Sequence, residues 1–322
     1  MNYDNEIGDI CLSSYNDLGK SGKPDKNQFS VLAAIVCSDK SSSKRRVVSL
    51  TSGTKCFPTN EILKTQRIVD SHAESLLKRA FKRHLISLLN SGSDLEDISS
   101  VDLFISQYPC GTIQRWRGET ATNPAKRVKR ELGFIRKPGR GETCLRATCL
   151  HKISKWVFMG LQGNKLIQFT KRPIRINNIV IGNCGPIGEY DQQLVDQWFQ
   201  LSDSCVAYKP FDLKCLPKIK FCEKFRNDLF IKCDNKESTA TSIVMWSTSD
   251  GHISEVLTEG HKLGVTKKNM SKNLPLVCDS IINRDIELLT NDRDIKLSEI
   301  YEKQWNELKK CQLFEGWRQS NQ

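Results

Sequence analysis

The feature that most constrains the fold is an apolar stripe with helical spacing, which begins in the run Asp-Ser-His-Ala-Glu at residues 70–74. Asp70 and Ser71 are residue types typical of a helix N-cap. Along the stripe the buried-type side chains recur at steps of three and four: Ala73, Leu76, Leu77, Ala80, Phe81, His84, Leu85, Leu88 and Leu89. This pattern predicts a helix with one buried face. His72 and Glu74 then lie in its first turn, where free N–H groups and the helix dipole favour negative charge.

A histidine two residues before a glutamate is a weak signal, because a capped helix with a surface glutamate looks the same. Two later features strengthen it, namely the run Pro-Cys-Gly at residues 109–111 and a further cysteine at 149. Zinc deaminases use one histidine and two cysteines as metal ligands, with a nearby glutamate that is not a ligand. In that signature the cysteines are usually spaced Cys-x-x-Cys, but the residue three after Cys110 is Ile113. The second thiolate must therefore come from elsewhere in the chain.

Two cysteines are candidates for this third ligand. Cys144 lies in a predicted loop, whereas Cys149 begins a predicted apolar helix. A helix N-terminus lowers the pKa of a thiol, so the spacing favours Cys149 but leaves Cys144 open. One histidine and two thiolates would neutralise a zinc ion and acidify its water only moderately. A zinc-bound hydroxide would then need a carboxylate to carry its proton, and Glu74 is the expected shuttle.

Composition restricts the class of protein. The chain has 322 residues, 38% hydrophobic and 27% charged, as is ordinary for a soluble globular protein. We find no apolar run of 18 residues and no signal peptide, so we expect no membrane contact. The 13 cysteines, without a secretory signal, favour reduced thiols in the cytoplasm or nucleus. Six of them lie in mixed apolar sequence and are predicted to be small core residues: Cys11, Cys37, Cys184, Cys205, Cys215 and Cys233.

The charge is strongly basic, with 49 Lys and Arg against 37 Asp and Glu, a net +12. An ordinary solvated surface could explain such an excess. Its concentration between residues 115 and 155, however, indicates binding to a polyanion such as RNA or a polyphosphate.

Patterning predicts a mixed α/β chain. We expect helices at 7–18, 123–132, 148–156 and 190–201 and one or two more within 285–313. We expect strands at 29–37, 47–51, 101–107 and 174–181, and a hairpin pairing 242–246 with 253–257. The strand at 101–107 would deliver Cys110 at its carboxyl end, the usual place for an α/β active site. We see no internal repeat and no linker, and so expect one domain over residues 1–322.

Several ordered motifs together resemble a known family. They are residues 15–24 (Tyr-Asn-Asp-Leu-Gly-Lys-Ser-Gly-Lys-Pro), 31–35 (Val-Leu-Ala-Ala-Ile), 52–56 (Ser-Gly-Thr-Lys-Cys), 70–74, 109–111, 137–141 (Lys-Pro-Gly-Arg-Gly), 148–156 (Thr-Cys-x-x-Lys-Ile-x-x-Trp) and 160–163 (Gly-Leu-Gln-Gly). The chain resembles the eukaryotic tRNA-specific adenosine deaminases that act beside the anticodon, which are related to the adenosine deaminases acting on double-stranded RNA.

The resemblance implies a cytidine-deaminase-like, three-layer α/β fold with a mixed sheet and a C-terminal extension of helices and strands. It implies His72, Cys110 and Cys149 as zinc ligands and Glu74 as the proton shuttle. It also places Thr54 and Lys55 where relatives contact the ribose and phosphate of the target nucleotide. For Lys55 an ordinary surface position is the alternative.

The resemblance further implies a buried inositol hexakisphosphate as a structural cofactor. The positions that match its binding site are Lys78, Arg79, Lys152, Lys155 and Trp156, with Lys137 linking it toward Asp70. A solvated helix face is the alternative for Lys78 and Arg79. This chain also departs from the family, with Thr112 and His151 in place of two aspartates and Asp279 in place of a ligand lysine. In the last helix, the sequence does not fix which residues take the polyphosphate-binding positions of the family. The candidates are Lys296, Tyr301, Trp305 and Lys309.

The expected function is zinc-dependent conversion of adenosine to inosine at position 37, beside the anticodon of an alanine tRNA, without an obligate protein partner. Editing of long duplex RNA is the nearest alternative, although we see no room for a double-stranded-RNA-binding module. A free-nucleoside deaminase would not need the basic stretch. A catalytically inactive zinc-containing RNA-binding protein would not need Glu74.

Overall fold

A computed structural model describes residues 3–39, 44–57, 67–93, 95, 98–110, 134–135, 146–182, 205, 210–231 and 235–314. Within these ranges the α-helices are α1 (Tyr3–Asn16), α2 (Ala73–Asn90), α3 (Cys149–Met159), α4 (Gly163–Thr170), α5 (Asp279–Glu287) and α6 (Ile295–Leu308). The strands are β1 (Gln28–Phe29), β2 (Leu32–Asp39), β3 (Arg45–Ser52), β4 (Thr54–Cys56), β5 (Asp70–His72), β6 (Ile98–Ile105), β7 (Phe134–Ile135), β8 (Arg146–Ala147), β9 (Asn178–Ile181), β10 (Lys218–Phe221), β11 (Glu237–Ser238), β12 (Thr241–Thr248), β13 (Gly251–Thr258) and β14 (His261–Lys262).

The described strands form one large mixed sheet of eight strands in the order β10-β9-β6-β2-β3-β12-β13-β14. The three strands β10, β9 and β6 run parallel, and every other pair in this sheet is antiparallel. A short antiparallel ladder of β4 and β5 lies beside it and pairs Thr54 with His72.

Helices cover both faces of the sheet. Along β2 the pleat sends Ala33, Ile35 and Cys37 into the core shared with α2 and α3. The alternate residues Leu32, Ala34 and Val36 face the core shared with α1. Because every one of these side chains is buried, β2 has a continuous apolar sequence rather than an alternating one. The predicted three-layer α/β fold with a mixed sheet is confirmed.

Most predicted elements that fall on described residues are present with shifted ends. The first helix begins at Tyr3, the strand at 174–181 is regular only from Asn178, and the 285–313 region contains the end of α5 and all of α6. The hairpin is confirmed as β12 and β13, which pair along their whole length. The helices predicted at 123–132 and 190–201, together with Cys184 and Cys233, lie outside the described residues.

Two predictions were wrong. The N-cap of α2 is His72, not Asp70 or Ser71, and its side chain makes no capping bond. The backbone stays extended through residue 72 because Asp70 to His72 pair with β4. Cys215 is exposed rather than part of the core, since it lies in the loop before β10, whereas Cys11, Cys37 and Cys205 are buried as predicted. Among the described helices, none is long and apolar enough to cross a bilayer.

Candidate metal centre

His72 stands at the junction between a strand and a helix, as the last residue of β5 and the N-cap of α2. Gly53 makes this junction possible. Its φ of 155° lies in the region that favours glycine, and a Cβ there would stand 2.2 Å from the carbonyl oxygen of Ser71. The carbonyl of Gly53 instead accepts a hydrogen bond of 3.0 Å from the N–H of Ala73, the first residue of α2.

Two other segments bring the cysteines to His72. Cys110 follows β6, and Cys149 is the first residue of α3. The free N–H groups at the start of α3 hold the two segments together. Cys149 donates its N–H to Cys110 Sγ at 3.2 Å, and Leu150 donates to the carbonyl of Cys110 at 3.1 Å.

The three candidate ligand atoms lie within 4.8 Å of one another. His72 Nδ1 is 3.6 Å from Cys110 Sγ and 3.4 Å from Cys149 Sγ. Zn–S and Zn–N bonds at tetrahedral angles place such atoms about 3.5 Å apart. Two thiols and one imidazole are also the donor types that zinc prefers. The residues therefore fit a zinc ion with one position left for water, as the spacing and the resemblance predict.

The electrostatics favour the metal-binding form at only one of the two thiols, because burial and then the neighbouring Cys110 raise the pKa of the Cys149 thiol well above its ordinary value, contrary to the expectation from its helix N-terminus. The hydrogen bond from Cys149, together with the neighbouring imidazole of His72, holds the pKa of the Cys110 thiol well below its ordinary value. The thiolate is the form that binds metal. Glu74 is the second residue of α2 and is 3% exposed. Burial, and then the charge of Cys110, raise the pKa of its carboxyl, so this group is suited to take up and release a proton.

A second group of polar side chains, next to the metal ligands, holds the backbone of His72 in place. Asp70 accepts a hydrogen bond of 3.1 Å from the His72 N–H and another of 3.0 Å from the Ser75 hydroxyl, and it forms an ion pair with Lys152. Although burial alone would raise the pKa of Asp70, Lys152 holds it well below its ordinary range. The carboxylate therefore stays ionised and fixes the backbone that carries the imidazole.

The two predicted substrate contacts flank this centre. Thr54 lies opposite His72 in the β4–β5 ladder, and its hydroxyl is buried without a hydrogen-bond partner among the described residues. Buried hydroxyls are normally paired, so this oxygen is available to a ligand. Lys55 donates a hydrogen bond of 2.7 Å to Ser238 Oγ, which connects the ladder to β11.

Four of the six predicted polyphosphate-binding residues lie around one half-buried group of cations. Lys78 Nζ is 5.5 Å from the centre of the Trp156 ring, and Lys155 Nζ is 3.9 Å from that of Trp305. Arg79 lies on the same helix turn but forms an ion pair of 2.7 Å with Asp279. Lys152, the fifth residue, is paired with Asp70, and the sixth, Lys137, lies outside the described residues.

The lysines of this group lower one another's pKa. Burial, and then Lys82 and Lys155, push the pKa of Lys78 well below its ordinary value. Burial, assisted by Lys309 and Lys82, lowers the pKa of Lys155 to about 8. Lys82 was missed from the sequence, although its position one turn after Lys78 on the same helix could have indicated it. Its Nζ lies 3.9 Å from the Cβ position of Gly163, at the start of α4.

The structure places the residues of the last helix, whose register was open, and it also places His151. In α6, Trp305 is the residue that meets Lys155, and Lys309 also approaches its ring, at 5.9 Å. His151 does not belong to the cluster of metal-binding groups found among the described residues. Its Nδ1 lies 2.7 Å from the Thr148 hydroxyl, at the N-cap of α3. Thr112 lies outside the described residues.

Comparison with known proteins gives a consistent result. Residues 113–320, more than half of the chain, match the family described as "Adenosine-deaminase (editase) domain". The chain is 30% identical over 214 residues to a Drosophila melanogaster protein named tRNA-specific adenosine deaminase 1, a match covering 54% of each chain. It is 22% identical over 376 residues to the Schizosaccharomyces pombe protein of that name, which covers 97% of this chain and 92% of the relative. A double-stranded RNA-specific adenosine deaminase of Rattus norvegicus is 24% identical over 96% of this chain and 31% of its own length.

Proposed function

This chain belongs to the adenosine-deaminase (editase) domain family, and we propose that it converts adenosine to inosine in tRNA by zinc-dependent hydrolysis. The observation that carries the proposal is the convergence of His72, Cys110 and Cys149 beside the buried carboxyl of Glu74. The match to relatives named tRNA-specific adenosine deaminase 1 supports tRNA as the substrate.

The residues of the chain have separate tasks in this reaction. His72, Cys110 and Cys149 would hold the zinc ion. Such an ion lowers the pKa of a bound water molecule, so that the water can lose a proton near neutral pH. Glu74 would take one proton from the water that adds to C6 of adenine and pass it to N1 of the ring, and it would then move the proton of the new C6 hydroxyl to the departing amino group, which leaves as ammonia. Its buried position keeps the carboxyl close to the reacting atoms and away from bulk solvent. Water and adenosine thus give inosine and ammonia.

We further propose that the target is adenosine 37, next to the anticodon of an alanine tRNA. A base in a loop is already unpaired, so little free energy is needed to extrude it into a pocket. The unpartnered hydroxyl of Thr54 beside the metal ligands is suited to bind the ribose of the extruded nucleotide. Lys55, the next residue of the same ladder, supplies a cation for its phosphate.

The test is to incubate the purified protein with unmodified total tRNA and to map inosine by sequencing. Inosine at position 37 of an alanine tRNA is the expected product, together with about one zinc per chain by metal analysis. A long RNA duplex is assayed in parallel. Inosine in the duplex but in no tRNA would contradict the tRNA proposal, and the absence of inosine from both would contradict the enzymatic one.

We also propose that inositol hexakisphosphate binds at the cations around Lys78, Lys82 and Lys155. Half-buried ammonium groups that repel one another are costly without a compensating anion, and this supports a polyphosphate there. The pairing of Arg79 with Asp279 leaves less positive charge for such a ligand. Acid extraction of the purified protein, followed by mass spectrometry, should release this compound. If the extract contains no polyphosphate, this part of the proposal is wrong.

A further inference from the structure

Strand β13 has an open outer edge over its first half. On one side it pairs with β12 along its whole length. Its other neighbour among the described strands is β14, which pairs with β13 only at Leu257 and Thr258. The N–H of Leu263 adds one further hydrogen bond, of 2.8 Å, to the carbonyl of Val256. Within the part of the chain that the structure describes, residues 251–255 therefore form a free edge of the main sheet.

The backbone groups of this edge point away from the sheet at alternate residues. In an antiparallel sheet, successive residues of a strand bond alternately to its two neighbours. Because the carbonyl of Val256 bonds outward to Leu263, the N–H and C=O groups of His252 and Ser254 point outward as well. Both residues are exposed, and no described residue bonds to these groups. They are thus available to a further strand.

The edge also lacks the features that usually protect a free strand from pairing. Natural edge strands carry lysine, proline or a bulge. Residues 251–254 read Gly-His-Ile-Ser, and the register between β12 and β13 has no shift. The next residue, Glu255, is buried and accepts the N–H groups of Leu276 and Val277 at 3.0 and 3.1 Å. Its charge therefore does not oppose an approaching strand.

An apolar surface lies beside the edge, on the face of the sheet that α2 covers. The side chain of Ile253 is 41% exposed and lines a cavity of about 360 Å³. Trp246 and Leu288 also line this cavity, and Leu288 is 71% exposed. Arg83 and Asp285, two charged residues of the lining, form an ion pair with each other. The cavity therefore offers apolar surface and little unbalanced charge.

We propose that this edge pairs with the same edge of a second copy of the chain, as two antiparallel strands with Ile253 at the two-fold axis. In this register, His252 of each copy faces Ser254 of the other, and each such pair exchanges two hydrogen bonds. The two Ile253 side chains lie directly opposite each other, with about 4.5–5.5 Å between their Cβ atoms. They cover each other on the face where the cavity opens.

The length and the charge of the edge favour a second copy as its occupant. The open stretch 251–255 is centred on Ile253, so a two-fold axis there pairs the stretch with itself over its whole length. The turn of the second copy then meets β14, and its exposed Asp250 comes next to the exposed Lys262. An acidic turn thus meets a basic strand end in this register, twice in the dimer.

This pairing leaves the metal centre of each copy accessible. Trp246, near the β12–β13 turn, pairs with Ser49, and β3 runs from there toward Gly53. Gly53 bonds to the first residue of α2, beside His72, so the turn lies at the end of the sheet remote from the metal centre. We therefore expect the dimer and the monomer to have the same kcat per chain.

The test is the mass of the zinc-loaded full chain, measured by analytical ultracentrifugation between about 1 and 500 μM. We expect the mass to rise from that of one chain toward that of two, with weak affinity because a single strand pair buries little surface. Ile253→Lys places two like charges opposite each other and should weaken association at least about tenfold. Ile300→Lys in α6 is the matched control, since Ile300 is 42% exposed, and it should associate like the unsubstituted protein.

A second variant tests the backbone pairing itself. Ser254→Pro removes an outward N–H and so two of the dimer's hydrogen bonds, but none of the bonds to β12. It should also weaken association at least about tenfold, with zinc content and thermal unfolding of dilute samples showing that the variants are folded. A mass of one chain at every concentration would overturn the inference, and this includes the case in which the edge pairs with a different protein. A dimer that both I253K and S254P leave intact would overturn it as well.

Discussion

Lys152 of α3 forms an ion pair with Asp70 of β5, and this contact joins the two segments that supply Cys149 and His72. Both side chains are mostly shielded from water, with exposures of 17% and 8%. Lys152 also donates a hydrogen bond of 2.9 Å to Ser75 Oγ, so the carboxylate, the ammonium and the hydroxyl form a closed group. The imidazole is thus oriented through its own backbone by a residue eighty positions along the chain.

The first prediction concerns this pair. Lys152→Met leaves the Asp70 carboxylate buried without its cation, which should lower the free energy of unfolding by about 3–5 kcal/mol. The double variant D70N/K152M removes both charges and should recover part of that loss. Urea unfolding of the zinc-loaded proteins measures both effects. A double variant no more stable than K152M would show that the ion pair is not what the single substitution disrupts.

The second prediction concerns Glu74. Glu74→Gln keeps the shape of the side chain but cannot carry a proton, so kcat for tRNA deamination should fall at least about 100-fold. Zinc content and the dissociation constant for tRNA should stay the same, because we expect Glu74 neither to coordinate zinc nor to contribute to tRNA binding. Single-turnover assays with metal analysis on the same samples provide the measurement. An unchanged kcat would remove Glu74 from the mechanism.

The third prediction is a pH dependence that arises at His84, on the buried face of α2. The side chain is 1% exposed, and its Nδ1 lies 2.9 Å from the carbonyl oxygen of Ser247, to which it donates. Burial lowers its pKa from 6.5 to about 4. The folded protein therefore keeps this histidine neutral while the unfolded chain protonates it, so stability falls as the pH drops from about 6.5 to 4.

A shift of this size corresponds to roughly 3 kcal/mol at the acid end of that range. His84→Asn retains a donor for Ser247 but does not titrate. The gap in unfolding free energy between H84N and the unsubstituted protein should therefore narrow or reverse between pH 6.5 and 4, as measured by urea unfolding in a series of buffers. A gap that is constant with pH would mean that His84 is not the group responsible.

Local sequence pattern correctly predicted those elements whose structure depends mainly on residues close together in the sequence. The apolar spacing from Ala73 to Leu89 predicted α2, and the alternating residues around Asp250 and Gly251 predicted the β12–β13 hairpin. The N-cap of α2 was wrong because Asp70 is held by β4 and by Lys152, contacts that local pattern does not encode.

The candidate site was likewise predicted only in part, because some of its residues meet through contacts distant in sequence. Spacing identified His72, Glu74 and Cys110 and favoured Cys149 as the third ligand, but it left Cys144 open, and only the resemblance settled on one. The structure brings Cys149 to His72 through the start of α3, while Cys144 lies outside the described residues. Lys82 was missed and Trp305 was only one of four candidates in its helix, because their roles depend on α4 and α3, with which they come together only in the folded chain.

The last prediction concerns Gly53, the residue that lets β4 approach β5. A methyl group there would stand 2.2 Å from the Ser71 carbonyl oxygen and 2.5 Å from Ser242 Oγ, at a φ that disfavours other residues. Gly53→Ala should therefore push β5 away and displace His72 from the two cysteines, so the zinc affinity should fall by at least about tenfold. Gly19→Ala is the matched control, because nothing lies within 4 Å of its Cβ position. Competition with a chromogenic chelator measures both proteins, and a G53A variant that holds zinc as tightly as G19A would mean that the β4–β5 ladder does not position the imidazole.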